Sequence, residues 1–134
     1  MFRRDFQNLT TLRARETWRL AEVGLYDGAY YLGGLAIECA LKSAIARATQ
    51  RYEFPDRKRT ENAYKHNLEE LLILSGLKTE LTLVEPYVKD AWARAKSWTV
   101  ETRYLSGREA AEVLEFLDAV AGRRGVLRWL KQYW

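Results

Sequence analysis

The chain has 134 residues, 48% of them hydrophobic, with a formal net charge of +4, one cysteine, two prolines and eight glycines. That is one ordinary domain with its own packed core, expected over residues 1–134 without a boundary. The composition excludes an internal disulfide framework and long linkers, and the longest apolar run, Tyr30 to Ile37, is too short to span a bilayer.

Apolar residues recur at steps of three and four, and no segment alternates as a strand for more than a few residues. The expected fold class is therefore all-α. The first helix is expected from about Leu9 to Leu25, or from as early as Phe2. Leu9, Leu12, Leu20 and Val23 would form its buried face, with Ala14, Trp18, Ala21 and Leu25 beside them.

The second helix is expected from Gly28 to Ala48, with Asp27 as N-cap. Ala29, Gly33, Ala36, Ala40 and Ala44 line one face and admit a neighbouring helix closely. Glycine inside a helix costs about 1 kcal/mol relative to alanine, so close contact should offset Gly33 and Gly34. Cys39 sits among small apolar residues and reads as core. A single cysteine, and no apolar stretch behind the charges of MFRRDFQN, point to a cytoplasmic protein.

A polar connection follows from Gln50 to Lys65, broken by Pro55. A third, short helix is expected from Asn67 to Leu74, stopped at Ser75-Gly76. A fourth runs from Thr79 to Trp98 and is interrupted or restarted near Pro86. The fifth follows Ser106, whose spacing to Glu109 is that of a capping box. Ala110, Val113, Leu114, Leu117, Val120 and Ala121 would be its buried stripe. Gly122 and Gly125 bend or end it, and Val126 to Trp134 reads as a last helical stretch.

Asp27, Tyr31, Leu35, Glu38 and Lys42 fall on one side of the second helix. Glu38 precedes Lys42 by four residues, the favourable order for a helical ion pair. Such a pair among apolar neighbours either fixes helix register or forms the polar wall of a binding site. Arg103 and Tyr104, behind Trp98 and Glu101, offer a guanidinium for phosphate or for Glu38, and rings for stacking on a base. His66, the sole histidine, is either a helix-start residue or a general acid–base. No metal site and no cofactor motif is present in the sequence. Basic residues gather at Arg47, Arg51, Arg57, Lys58, Arg59 and Lys65, and again at Arg123, Arg124, Arg128 and Lys131. Either cluster suits a phosphate-bearing partner, with a solvated surface as the simpler reading.

Tyr26-Asp27-Gly28-Ala29-Tyr30-Tyr31-Leu32-Gly33-Gly34, Ile37-Glu38-Cys39-Ala40-Leu41-Lys42 and His66-Asn67-Leu68-Glu69-Glu70-Leu71-Leu72 form an ordered set with Trp98, Glu101-Thr102-Arg103-Tyr104 and Trp129-Leu130-Lys131. In order and spacing this set resembles the HEPN family (higher eukaryotes and prokaryotes nucleotide-binding domain). The resemblance implies an up-and-down bundle of four to five helices that forms a homodimer. It implies a partner in the form of a small nucleotidyltransferase, often within a toxin–antitoxin pair, and a nucleotide or RNA as ligand. Many members are metal-independent ribonucleases with an Arg, four to six residues and a His late in the chain. Arg94 and Arg103 have no histidine after them; Arg59 and His66 have the spacing but lie between the second and third helices.

The expected function is therefore a non-catalytic binding protein that uses Asp27, Tyr31, Glu38, Lys42, Trp98, Arg103 and Tyr104. The alternatives are a ribonuclease with a departed site, using Arg103 with His66 or Tyr104, and a purely structural module docking through Trp129 and Trp134.

Overall fold

A computed structural model describes residues 1–49 and 57–134, with position 59 described at the backbone only. Among these residues the fold is an all-α bundle without strands. Helices α1 (Arg3–Glu22) and α2 (Tyr26–Ala48) form a hairpin across a short turn. Gly24 makes that turn at φ 81°, in the left-handed region that a side chain would strain.

The α1–α2 contact is the most extensive in the molecule. The α2 side is the expected one: Ala29, Gly33, Ala36, Ala40 and Ala44 are all buried. The α1 side departs from the expected stripe. Thr10, Thr17 and Ala21 are its buried residues, whereas Leu12 is 44% and Val23 71% exposed. A close helix pair has room for small side chains only, so α1 turns Thr10, Thr17 and Ala21 inward and carries its leucines on the flanks. Thr17 bridges the pair by donating its hydroxyl to the Ala29 carbonyl, which satisfies a buried polar group locally.

Gly33 and Gly34 admit different neighbours. A Cβ at position 33 would lie 3.1 Å from the Phe116 ring and 3.2 Å from Thr17 Oγ1. At position 34 it would lie 2.1 Å from the Trp98 indole. Trp98 is fully buried on that glycine. Burying a large apolar side chain contributes about 3 kcal/mol, more than the ~1 kcal/mol helix penalty of one glycine.

Asp27 does not cap α2. The helix begins at Tyr26, with Leu25 in the cap position. The Asp27 carboxylate instead accepts the backbone N–H groups of Gly107 and Arg108, both at 3.0 Å. Gly107 at φ 88° presents the two amides side by side, and a carboxylate with two oxygens satisfies both.

The Gln50–Lys65 connection is in part helical: α3 spans Arg57–Ala63. The expected break at Pro55 lies outside the described residues. Helix α4 (Leu68–Ser75) ends at the expected stop, Gly76 at φ 79°, and begins one residue later than expected, with Asn67 as its cap accepting the Glu70 amide at 3.0 Å. The stretch expected from Thr79 to Trp98 is restarted at Pro86 as expected, giving α5 (Lys78–Thr82) and α6 (Pro86–Ala95), with Pro86 at a position that needs no amide, and it ends at Ala95, short of Trp98.

Trp98 lies beyond α6, followed by a 3-10 turn over Val100–Tyr104. Helix α7 (Ala110–Ala121) starts at Glu109 rather than after Ser106, so the capping box does not form. The segment that leads into α7 is held by Asp27 instead. In α7, Leu114 is exposed and Phe116 is buried against Tyr30, ring centroids 4.2 Å apart. The final element, α8 (Val126–Leu130), buries Trp129, and Trp134 is half-buried with its carbonyl held by Arg3 at 2.6 Å. Trp129 thus packs inside its own bundle. Helix α2 runs through the middle and touches α1, α4, α7, α8 and the 3-10 turn.

Candidate functional site

The central position of α2 makes its one polar stripe expensive, and Glu38 carries most of that cost. Its side chain is 4% exposed. A buried carboxylate requires charged or hydrogen-bonding partners. Oε1 has two: Lys42 Nζ at 2.8 Å, one turn along α2, and His66 Nδ1 at 2.8 Å, from the segment before α4. Oε2 is buried and has no hydrogen-bond partner among the described residues.

Glu69 provides the comparison. Its Oε1 accepts the Trp92 indole N–H at 2.8 Å and its Oε2 accepts Lys78 at 2.9 Å. Burial works against the Glu69 charge, and these two donors outweigh it and hold the carboxyl below its ordinary range. Glu69 is a completed tie between α4, α5 and α6. Glu38 is a carboxylate with one side committed.

His66 is held through Nδ1 while its side chain remains 53% exposed. A carboxylate on Nδ1 orients the ring and leaves Nε2 toward solvent as the nitrogen able to exchange a proton. Lys42 reaches the same oxygen from within the helix and is mostly covered, 14% exposed.

On the N-terminal side of this trio, Trp98 lies against Gly34, and its ring stacks on Tyr31 at 6.1 Å between centroids and 27° between planes. The Trp98 indole nitrogen is likewise buried without a partner among the described residues. The 3-10 turn then projects Arg103 and Tyr104 outward, with the Arg103 guanidinium 4.8 Å from the Tyr104 ring centroid. The neighbouring Tyr104 and Tyr31 phenols hold the Arg103 pKa above its ordinary value. Tyr104 is 71% exposed.

The structure therefore gathers Tyr31, Glu38, Lys42, His66, Trp98, Arg103 and Tyr104 along one face of α2 in two groups. Tyr31 and Glu38, which anchor Arg103 and His66 respectively, are seven residues apart, about 10 Å along the helix axis. The expected Glu38–Arg103 pair is not among the ion pairs of the described residues. Lys42 and His66 take up the Glu38 oxygen, and Arg103 lies against tyrosines. Asp27 lies on the same side of α2, but its carboxylate is committed elsewhere: it ties the start of α2 to the loop before α7. The hydrogen bonds from Arg108 and Gly107 hold its carboxyl below the ordinary range. The side chain of Arg59, half of the Arg59–His66 spacing, lies outside the described residues.

Arg108 went unread in the sequence. Its guanidinium lies 3.6 Å from the Tyr30 ring centroid and pairs with Glu112 at 2.8 Å. The i, i+4 spacing of Arg108 and Glu112 was the available signal. Among the described residues, no group of His, Cys, Asp and Glu has the size and geometry to hold a metal ion, and no helix is long and apolar enough to cross a membrane.

Comparison with known proteins adds no relative: neither the family models, nor the curated proteins, nor the solved structures yield a match to this chain.

Proposed function

We propose that this chain is a non-catalytic, HEPN-like binding domain that takes a nucleotide or single-stranded RNA on the exposed face of α2. One observation carries the reading. The exposed Arg103 and Tyr104, from the 3-10 turn, and the half-exposed His66, from the segment before α4, are seated along one face of α2 by buried supports, Trp98 on Gly34 and Glu38 with Lys42. A guanidinium binds phosphate oxygens through paired N–H groups, and an exposed phenol ring offers a stacking platform to a base. Rigid seating of these groups lowers the entropy lost on binding. In the same proposal the protein acts as a homodimer beside a small nucleotidyltransferase, in a cytoplasmic toxin–antitoxin-like pair.

Fluorescence anisotropy with a labelled single-stranded RNA tests the reading, with labelled nucleotide as a second probe. Arg103→Ala should weaken binding about tenfold, the loss expected for one charge-assisted contact. Tyr104→Ala should weaken it by a similar factor. Wild-type protein that binds neither probe, or variants that bind as well as wild type, would remove the proposal.

The arrangement of His66 favours a second reading, ribonuclease activity. Its Nδ1 on the Glu38 carboxylate is the arrangement that prepares Nε2 for proton transfer. The ~10 Å between the anchors of His66 and Arg103 means that the two engage separate groups of a substrate within one chain. Cleavage of RNA by purified protein, lost in His66→Ala, would replace the binding reading with the catalytic one.

A further inference from the structure

The C-terminal arginines singled out in the sequence are not used by the α2 face. They surround a pocket of about 360 Å³ between the start of α6 and the α7–α8 corner, lined by Arg123, Arg124, Arg128, Tyr87, Trp129 and Gln132 among others. No acidic residue lines it. Among the described residues none of the three arginines is in an ion pair with a carboxylate. Two are held in place by other means. The Arg124 guanidinium lies 5.0 Å from the Tyr87 ring centroid, and Arg128 Nη1 donates to the Arg123 backbone carbonyl at 3.4 Å.

From this geometry we propose a second ligand site, one that binds a compact multiply charged phosphate group such as the pyrophosphate moiety of a phosphorylated small molecule. Three arginines around one pocket repel one another, and a dianion or trianion relieves that repulsion where a single carboxylate leaves most of it. Guanidinium groups offer planar pairs of N–H donors that match phosphate oxygens, and Gln132 adds a neutral amide. The volume is at the lower end of small-molecule sites, about 300–1,000 Å³. It suits a compact phosphate group better than the long track of a nucleic-acid backbone.

Isothermal titration of the full chain with pyrophosphate tests the site, with inorganic phosphate, succinate and a single-stranded RNA as parallel arms. Pyrophosphate should bind at one site per chain and should bind Arg103→Ala equally well, which separates this site from the α2 face. Arg124→Gln and Arg128→Gln should each weaken it about tenfold, with unchanged circular dichroism melting as the control for folding. If either variant melts early, Arg124→Lys serves in its place: charge is kept, the paired donors are lost, and affinity should still fall. No pyrophosphate binding, equal binding by wild type and variants, succinate binding as tight as pyrophosphate, or an RNA response that depends on these arginines without a pyrophosphate response would each overturn the assignment.

Discussion

Substituting alanine for each glycine of the adjacent pair in α2 should give unequal results, and the geometry indicates by how much. At position 34 the new Cβ would meet Trp98 Cδ2 and Cε2 at 2.1 Å and Nε1 at 2.2 Å. Ordinary carbon contacts are about 3.5–4.0 Å, so the indole must retreat by more than an ångström. Trp98 is 1% exposed and has little space to enter. Overpacking costs about 1–3 kcal/mol in tolerant cores, and losing the packing of a buried tryptophan altogether costs about 3–5 kcal/mol. Alanine returns about 1 kcal/mol of helix propensity. A net destabilisation of roughly 2–4 kcal/mol follows for Gly34→Ala.

At position 33 the contacts of 3.1 and 3.2 Å require Phe116 and Thr17 to give by only tenths of an ångström. The propensity gain nearly offsets that, and Gly33→Ala should stay within about 1 kcal/mol of wild type. Urea denaturation followed by far-ultraviolet circular dichroism reads both variants. Combining Gly34→Ala with Trp98→Leu should cost less than the sum of the single changes, because the two residues share one contact. A Gly34→Ala protein as stable as wild type would refute the inference that Trp98 seats on that glycine.

Other expectations concern the charged groups. Glu38→Gln should destabilise by about 3 kcal/mol, because it strips the mostly covered Lys42 of its counter-charge; thermal melting would show this, and an unchanged midpoint would mean that Lys42 finds another partner. The Asp27 carboxyl is held below its ordinary range by the Arg108 and Gly107 amides. A depressed folded pKa gives stability that is present above the unfolded pKa and lost as pH falls through the folded one. Asp27→Asn should therefore lower the melting temperature at neutral pH and flatten the acid limb between the ordinary carboxylate range and the values below it. Burial, with the Glu38 charge adding to it, pushes the Cys39 thiol up to about 11. A raised folded pKa gives stability that is complete below the unfolded value near 9 and lost as pH rises toward 11. A shift of that size corresponds to about 2–3 kcal/mol. Cys39→Ala should lose less stability than wild type between pH 9 and 11 in parallel melts, and in native wild type the thiol should resist alkylation at pH 8.

Much of the chain was legible because its signals are local. The small-residue face of α2, the short helix after His66, the stop at Gly76 and the restart at Pro86 depend on residues within a few positions of one another. Each was read correctly. The errors lie where distant segments compete for the same group. Asp27 has the residue type and position of an N-cap, yet two amides from a loop some eighty residues away take its oxygens. Ser106 and Glu109 have the spacing of a capping box, yet that same tie holds the chain leading into α7. The α1 stripe was assigned by hydrophobicity, whereas the closeness of α2 selects side chains by size.

The candidate site divides in the same way. Sequence alone determined that the fold is helical, that Glu38 and Lys42 share a helix face one turn apart, and that Gly33 and Gly34 demand close neighbours, since the pitch of the helix and the bulk of each side chain suffice for these. Only the tertiary structure decided which groups arrive at that face: His66 rather than Arg103 at Glu38, Trp98 on Gly34 rather than within a helix, and three arginines around a pocket at the far end of the chain. Those pairings depend on how the segments after α2 fold back across it, and residue spacing along a single helix carries no record of that.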